Sequence, residues 1–210
     1  GIAHSFDYDS RGNPTARVDP LGNRMAFTYD ATLNRLLSHE DERGKITSYG
    51  YDGRGNLLAI TSPDGLAEQF SYDPLGNVDD STNRRDQAIA YTYNTQGLVK
   101  RKDFPDGSHH DFTYDTRDKL LTATDARGIT AFDYDTADRL KRIDYPGGQF
   151  FTSDYINGRR DKRTDQDGNF VNYIYDIAGR LDQITDTASQ LIVDYDYDPV
   201  GRLEQKTLGN

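Results

Sequence analysis

Aromatic and polar residues alternate along this chain in short runs, and the runs return at a nearly fixed interval. Gln69-Phe70-Ser71-Tyr72 is one such run: polar, ring, polar, ring. Its last residue recurs as Tyr8, Tyr29, Tyr51, Tyr72, Tyr93, Tyr114, Tyr134, Tyr155, Tyr175 and Tyr197, at spacings of 21, 22, 21, 21, 21, 20, 21, 20 and 22 residues. That is an internal repeat through the whole chain. The position two before each of these anchors is aromatic in nine copies, as Phe6, Phe27, Tyr49, Phe70, Tyr91, Phe112, Phe132, Tyr173 and Tyr195; only Ser153 departs. A period of two puts both rings of a copy on one face of a strand, whereas a helix would scatter them.

Turn chemistry follows every anchor. Asp comes next in eight copies, Asn94 in a ninth and Ile156 in the tenth, commonly with Gly three residues later. Asp9 and Gly12, Asp52 and Gly55, Asp73 and Gly76, Asp176 and Gly179, and Asp198 and Gly201 are such pairs. Asp suits the first position of a type I turn, and Gly the left-handed conformation that closes a short hairpin loop with a bulge. Asp118 and Asp138 replace that glycine and tolerate its conformation; Leu33 does not, which points to Asn34 beside it.

A second turn lies about two-thirds through each copy. Asp19 to Gly22, Asp41 to Gly44, Ser62 to Gly65, Phe104 to Gly107, Asp125 to Gly128, Tyr145 to Gly148 and Asp165 to Gly168 share one grammar, and Asn83 to Asp86 and Asp186 to Ser189 fill the slot without glycine. Two turns per copy leave two short strands. Residues 1–210 are therefore expected to be a single all-β array of ten antiparallel β-hairpins, about 21 residues each.

Composition sharpens this picture. A hydrophobic share of 34% and a charged share of 29% would by themselves fit a disordered chain. Yet nineteen of the 15 tyrosines and 9 phenylalanines occupy the two ladder positions, which disorder would not maintain. Little apolar material is left over. Leu57, Val78, Val99, Leu120, Leu140, Leu181 and Leu203, six residues after their anchors, form a core too thin for a two-layer sandwich. A single-layer curved sheet fits, held by cross-strand aromatic pairs of roughly 0.2 to 1 kcal/mol each.

The net charge of -10 counts against nucleic acid, which wants a basic track. The basic clusters Lys100 to Lys102 and Arg159 to Arg163 read as solvated edges. Cysteine is absent, no apolar run approaches the ~20 residues of a membrane span, and the first residues show no basic-then-apolar leader. The stretch opens on strand residues Ile2 to Tyr8 without a preceding partner and ends at Asn210 before a second turn, so it reads as a piece of a longer array.

Catalytic chemistry finds little support. His4, His39, His109 and His110 do not recur with the repeat, and adjacent His109 and His110 would face opposite sides of a strand. Neither a nucleophile elbow nor a paired-histidine zinc motif occurs. Asp165-Gln166-Asp167-Gly168-Asn169 begins like a calcium loop but has no Glu at the twelfth position and fills an ordinary second-turn slot. No catalytic, cofactor or metal residue is expected.

The runs YDGRGNLLAI at Tyr51 and YDIAGRLDQI at Tyr175 resemble the Y-D-x-x-G-R/N-L pattern of YD repeats, also called Rhs repeats, and the resemblance spans nearly all of the chain. Tyr155-Ile156-Asn157-Gly158, one residue short, and Leu33 depart from it. The resemblance implies a segment of a spiralling hollow β-shell, as in bacterial Rhs and contact-dependent toxins, shell subunits of insecticidal toxin complexes and teneurin adhesion receptors. In the bacterial members the shell encloses a C-terminal toxin, and a self-cleaving segment separates the two. Asp-Pro-x-Gly occurs at Asp19, Asp73 and Asp198, always in turn slots. The expectation is a non-enzymatic shell segment of a large secreted or cell-surface protein. Its partners would be further repeats and a cargo or toxin domain, and its bare sheet edges would favour edge-to-edge self-association. The alternative is an extracellular adhesion module whose tyrosines meet carbohydrate or a protein partner.

Overall fold

The computed structural model describes residues 3–209, so Ile2, to which the first strand was expected to reach, lies outside the described residues. Among the described residues all regular structure is β-strand: twenty strands, from Ser5–Tyr8 to Leu203–Leu208, and no helix. The chain divides into two compact units, Gly1–His109 and His110–Asn210. In the first, each strand from Ser5–Tyr8 to Val99–Asp103 pairs antiparallel with the next. In the second, the strands from His109–Tyr114 to Leu203–Leu208 do the same. An anchor strand and the strand after it make one hairpin per copy, and the second turn joins each hairpin to the next.

The Tyr72 copy shows how the first turn sets the register. The Asp73 N–H donates to the Asn77 carbonyl at 2.9 Å and the Gly76 N–H to the Asp73 carbonyl at 3.0 Å, with Gly76 at φ +90. This is a type I turn closed by a left-handed residue, and it forces a bulge. Ser71 pairs with Asp80 but Tyr72 pairs with Val78, leaving Asp79 as the extra residue. The bulge is why an aliphatic residue recurs six positions after the anchor: it brings that residue opposite the tyrosine. Where glycine is missing, Asn34, Asp118 and Asp138 take φ of 57, 64 and 66, and Asp86 and Ser189 do so in second turns. Leu33 escapes because its loop is one residue longer, closing from the Asp30 N–H to the Arg35 carbonyl at 2.9 Å.

That longer loop accounts for the 22-residue interval from Tyr29 to Tyr51. The other, from Tyr175 to Tyr197, is taken up by a bulge at Ile192: Ile184 pairs with Val193, and Thr185 with Leu191. The two intervals of 20 residues are shorter turns. Asp125 pairs directly with Gly128, so Ala126-Arg127 is a two-residue loop and not the four-residue turn expected there. Ile156 likewise pairs with Arg159, leaving Asn157 and Gly158 at φ 50 and 81, the two positive values of a type I′ turn.

Burial is shallow throughout. Among the described residues only Ala16 and Val193 are buried apolar side chains, joined by Thr185, and the anchor tyrosines other than Tyr8 are half-buried. The expected aromatic pairing across strands is not how the ladder is built. Phe70 faces Ser81, Tyr49 faces Ile60, Phe132 faces Ile143, Tyr173 faces Ile184 and Tyr91 faces Lys102. The return strand interleaves one small, aliphatic or cationic residue between the rings of successive copies.

Candidate functional site

The surface that repeats most faithfully is the seam between one hairpin and the next, and the anchor tyrosine crosses it. The hydroxyls of Tyr51, Tyr72, Tyr93 and Tyr134 donate to the backbone carbonyls of Leu36, Leu57, Val78 and Leu120 at 2.7 to 3.0 Å. Tyr155, Tyr175 and Tyr197 reach Leu140, Arg160 and Leu181 at 2.8 to 2.9 Å. Each acceptor lies beside the bulge of the preceding copy, where regular pairing is interrupted and a carbonyl needs a donor. Burial pushes the Tyr51, Tyr93 and Tyr134 hydroxyls above the usual phenol range, so they keep the proton they donate. Tyr8 has no copy before it among the described residues and is 61% exposed. The bonds were not foreseen from the sequence, although a signal was there: the position two before the anchor accepts Phe or Tyr, whereas the anchor is never Phe.

The aspartate after the anchor organises the turn. In the Tyr72 copy, Asp73 Oδ1 accepts the N–H groups of Leu75 and Asn77, each at 2.9 Å, and Oδ2 accepts the Asn77 side-chain amide at 2.9 Å. Asp9 and Asp52 repeat this with Asn13 and Asn56. Asp135, Asp176 and Asp198 instead take the Nε of Arg139, Arg180 and Arg202 on Oδ2, at 2.7 Å each. Asn and Arg thus interchange in the Y-D-x-x-G-R/N pattern because each puts an N–H on the same carboxylate oxygen. The Asn77 side chain and the turn N–H groups hold the Asp73 carboxyl below its ordinary range, and Arg139 does the same for Asp135.

Arginine adds a reach that asparagine lacks. Arg139 and Arg180 lie over the rings of Tyr155 and Tyr197, the next anchors, at 4.5 and 4.4 Å, and Arg35 and Arg159 lie over Tyr51 and Tyr175 at 5.6 Å. The guanidiniums of Arg35 and Arg159 press on Gly55 and Gly179 of the following turn, where any side chain would collide. Gly12, Gly55, Gly76, Gly179 and Gly201 all hold φ between +78 and +90. Neighbouring turns are also joined by the reciprocal amides of Asn13 and Asn34 and by Lys119 and Arg117 on Asp138.

Other candidate chemistry is absorbed by this scheme. His39 Nδ1 lies 3.2 Å from the Tyr49 hydroxyl, and His110 packs edge-on against Phe112. Asp165 spends its carboxylate on Asp167 and Asn169 within its own turn. Among the described residues no three His, Asp or Glu side chains converge on a metal position. An open groove of about 550 Å³ runs past Phe151, Arg163, Phe170 and Thr187.

A sequence profile of the RHS Repeat family matches residues 8–39, 32–67, 51–86 and 112–149, more than half of the chain. No curated protein matches the sequence. Among solved structures, the crystal structure of TcdB2-TccC3 aligns with a TM-score of 0.76 and 18% identity over 99% of this chain and 13% of that one. The crystal structure of TcdB2-TccC3-Cdc42 aligns with a TM-score of 0.76 at 18% identity, over 99% of this chain and 12% of its own. That of TcdB2-TccC3-TEV gives 0.75 at 18%, over 98% and 12%. The chain spans about an eighth of those structures, and at such identity the likeness is one of fold. With its ten anchors, its Asp-x-x-Gly turns and a matching profile over most of its length, the chain belongs to the RHS Repeat family.

Proposed function

We propose that this chain is a stretch of wall in a larger, non-enzymatic, cofactor-free shell that encloses a toxin or other cargo domain of its parent protein. The observation that carries this reading is the seam. Seven anchors, from Tyr51 to Tyr197, take a carbonyl from the copy before, as Tyr72 does from Leu57, so the unit can be extended without a specialised pocket. Membership of the family and a fold shared with 12 to 13% of the TcdB2-TccC3 chains support a part of something longer. Its partners are then further repeats and the cargo domain, and its place is outside the producing cell or on its surface.

A second reading, an adhesion module for carbohydrate or a protein partner, is favoured by one feature. Apolar turn tips stand almost fully in solvent, with Leu75 86% and Leu21 87% exposed, and a partner would cover them. One experiment separates the two. Tyr51 to Thr92, two whole repeats, is deleted from the parent so that the hairpin phase is kept, and protease access to the cargo and toxicity in the producing cell are measured. Enclosure predicts a cargo newly open to protease. Unchanged protection overturns the wall and leaves the adhesion reading.

A further inference from the structure

The Tyr155 copy departs from the others at two positions of the apolar face, Ser153 and Arg160, and sets beside them Arg163 in a slot where Arg17, Lys102 and Lys206 are also cationic. Ser153 stands where the other nine copies have a ring. Arg160 stands where most have Leu or Val: it pairs with Tyr155, and its carbonyl takes the Tyr175 hydroxyl at 2.9 Å, as Leu57 does for Tyr72. Arg163 pairs directly across from Ser153. The missing ring leaves a cleft of about 60 Å³, lined by Leu140, Ile143, Phe151, Ser153, Arg160 and Arg163 together with Arg142, whose guanidinium is already ion-paired with Asp144.

Both guanidiniums are held in place but left unneutralised. Arg163 lies 4.1 Å over the Phe151 ring, and Arg160 lies 5.6 Å from the Tyr173 ring and 6.0 Å from that of Tyr155. The Tyr155 and Tyr173 hydroxyls also favour the charged form of Arg160, but neither hydroxyl nor ring face carries a negative charge to neutralise it. Among the described residues neither arginine makes an ion pair, in a protein of net charge -10, and Arg160 Nε is buried with no hydrogen-bond partner. A buried donor of a charged group left unsatisfied is costly and calls for an acceptor.

The cleft selects among acceptors by size and by its mixed walls. Its volume is that of about two waters in the liquid, enough for one small group and too little for a sugar ring or a nucleotide. Two guanidiniums on one side suit a planar pair of oxygens, and Leu140, Ile143 and Phe151 suit the carbon that bears them. We propose that this cleft is a binding site for a single carboxylate, carried either by a small free acid or by an acidic side chain of a polypeptide.

The test follows the Arg160 Nε–H signal by NMR in the full chain during titration with sodium propionate, with sodium chloride at equal ionic strength as control. Binding gives a saturable shift with propionate and none with chloride. S153F and R160L each install the residue type that other copies carry, so they preserve the hairpin while filling or discharging the cleft. S153F is read at Arg160, and R160L at the Nε–H of Arg163. Either should weaken binding by roughly tenfold or more. A blocked tripeptide with a central glutamate, compared with its glutamine counterpart, separates the sources: tighter binding than propionate marks a polypeptide carboxylate, and equal binding marks the small acid. No saturable shift, or a shift that survives S153F, overturns the site and leaves the cleft to water.

Discussion

The Tyr72 hydroxyl donates to the Leu57 carbonyl at 2.8 Å, fifteen residues back, and so fastens one hairpin to the hairpin before it. The turn after Tyr51 bulges its return strand and leaves that carbonyl beside a break in the ladder. The tyrosine then supplies both cover and donor: its ring lies on the shallow apolar face and its hydroxyl closes the backbone. Local turn chemistry in one copy thereby creates the acceptor that the next copy needs.

Replacing Tyr72 by Phe keeps the ring and removes only the bond to Leu57. It should lower stability by about 0.5 to 1.5 kcal/mol, the net worth of one hydrogen bond. The same change at Tyr8, 61% exposed and without a preceding copy among the described residues, should leave the denaturation midpoint where it was. Urea titration of the two variants reads the contrast, and equal losses would mean that the hydroxyl does not hold the seam.

The turn aspartates make stability acid-sensitive. Asp9, Asp52, Asp73, Asp135, Asp176 and Asp198 all have folded pKa values below the ordinary 3.8, because turn N–H groups and Asn or Arg side chains favour the carboxylate. A depressed folded value contributes stability that is present above the unfolded pKa and is lost as pH falls through the folded one. The thermal midpoint should therefore hold from pH 7 to about 5 and fall below about 4. Asp73→Asn should destabilise less than Asp73→Ala, since Asn94 already accepts the N–H groups of Gln96 and Leu98 in the same slot. A midpoint that stayed level down to pH 2 would separate these carboxylates from stability.

What could be read in advance was whatever depended on neighbours in sequence. Asp73 to Gly76 specify their turn locally, and Phe70 and Tyr72 declare their common face by spacing alone, so strands, period and family were legible. What depended on register was not. Arg160 occupies the aliphatic slot only because the loop at Asn157 and Gly158 is one residue short, so counting six from Tyr155 passes it by. Ile192 disappears into a bulge that no turn residue announces. The aromatic residues suggested ring-to-ring pairing because rings are conspicuous in a sequence, whereas the small and cationic residues placed between them are not.

Gly76 and Gly179 occupy the same slot with different neighbours. Alanine at Gly76 meets open space and bears only the left-handed backbone, roughly 1 to 2 kcal/mol. Alanine at Gly179 must also displace the Arg159 guanidinium from its place beside Tyr175, adding up to about 1 kcal/mol. In an Arg159→Ala background the two glycine changes should cost the same. A double-mutant cycle by urea denaturation measures this, and strict additivity of Gly179→Ala with Arg159→Ala would show that the arginine does not use the glycine's space.

The register also predicts which side chains of the ladder couple. Phe132 faces Ile143 directly across one strand pair, and such pairs interact by roughly 0.2 to 1 kcal/mol. Phe112 and Phe132 occupy equivalent positions in successive copies, but Ala123 stands opposite Phe112, one full strand lies between the rings, and two strand spacings amount to about 9.6 Å. Alanine at both Phe132 and Ile143 should therefore show a coupling energy in a double-mutant cycle, while alanine at both Phe112 and Phe132 should be additive within about 0.3 to 0.5 kcal/mol. The reverse result would restore ring-to-ring contact as the bond between copies and would make the interleaved aliphatic and cationic residues passive fillers. The expected result makes the return strand an equal partner in the face, which is how strands with only Ala16, Thr185 and Val193 as buried side chains among the described residues spread cohesion within each unit.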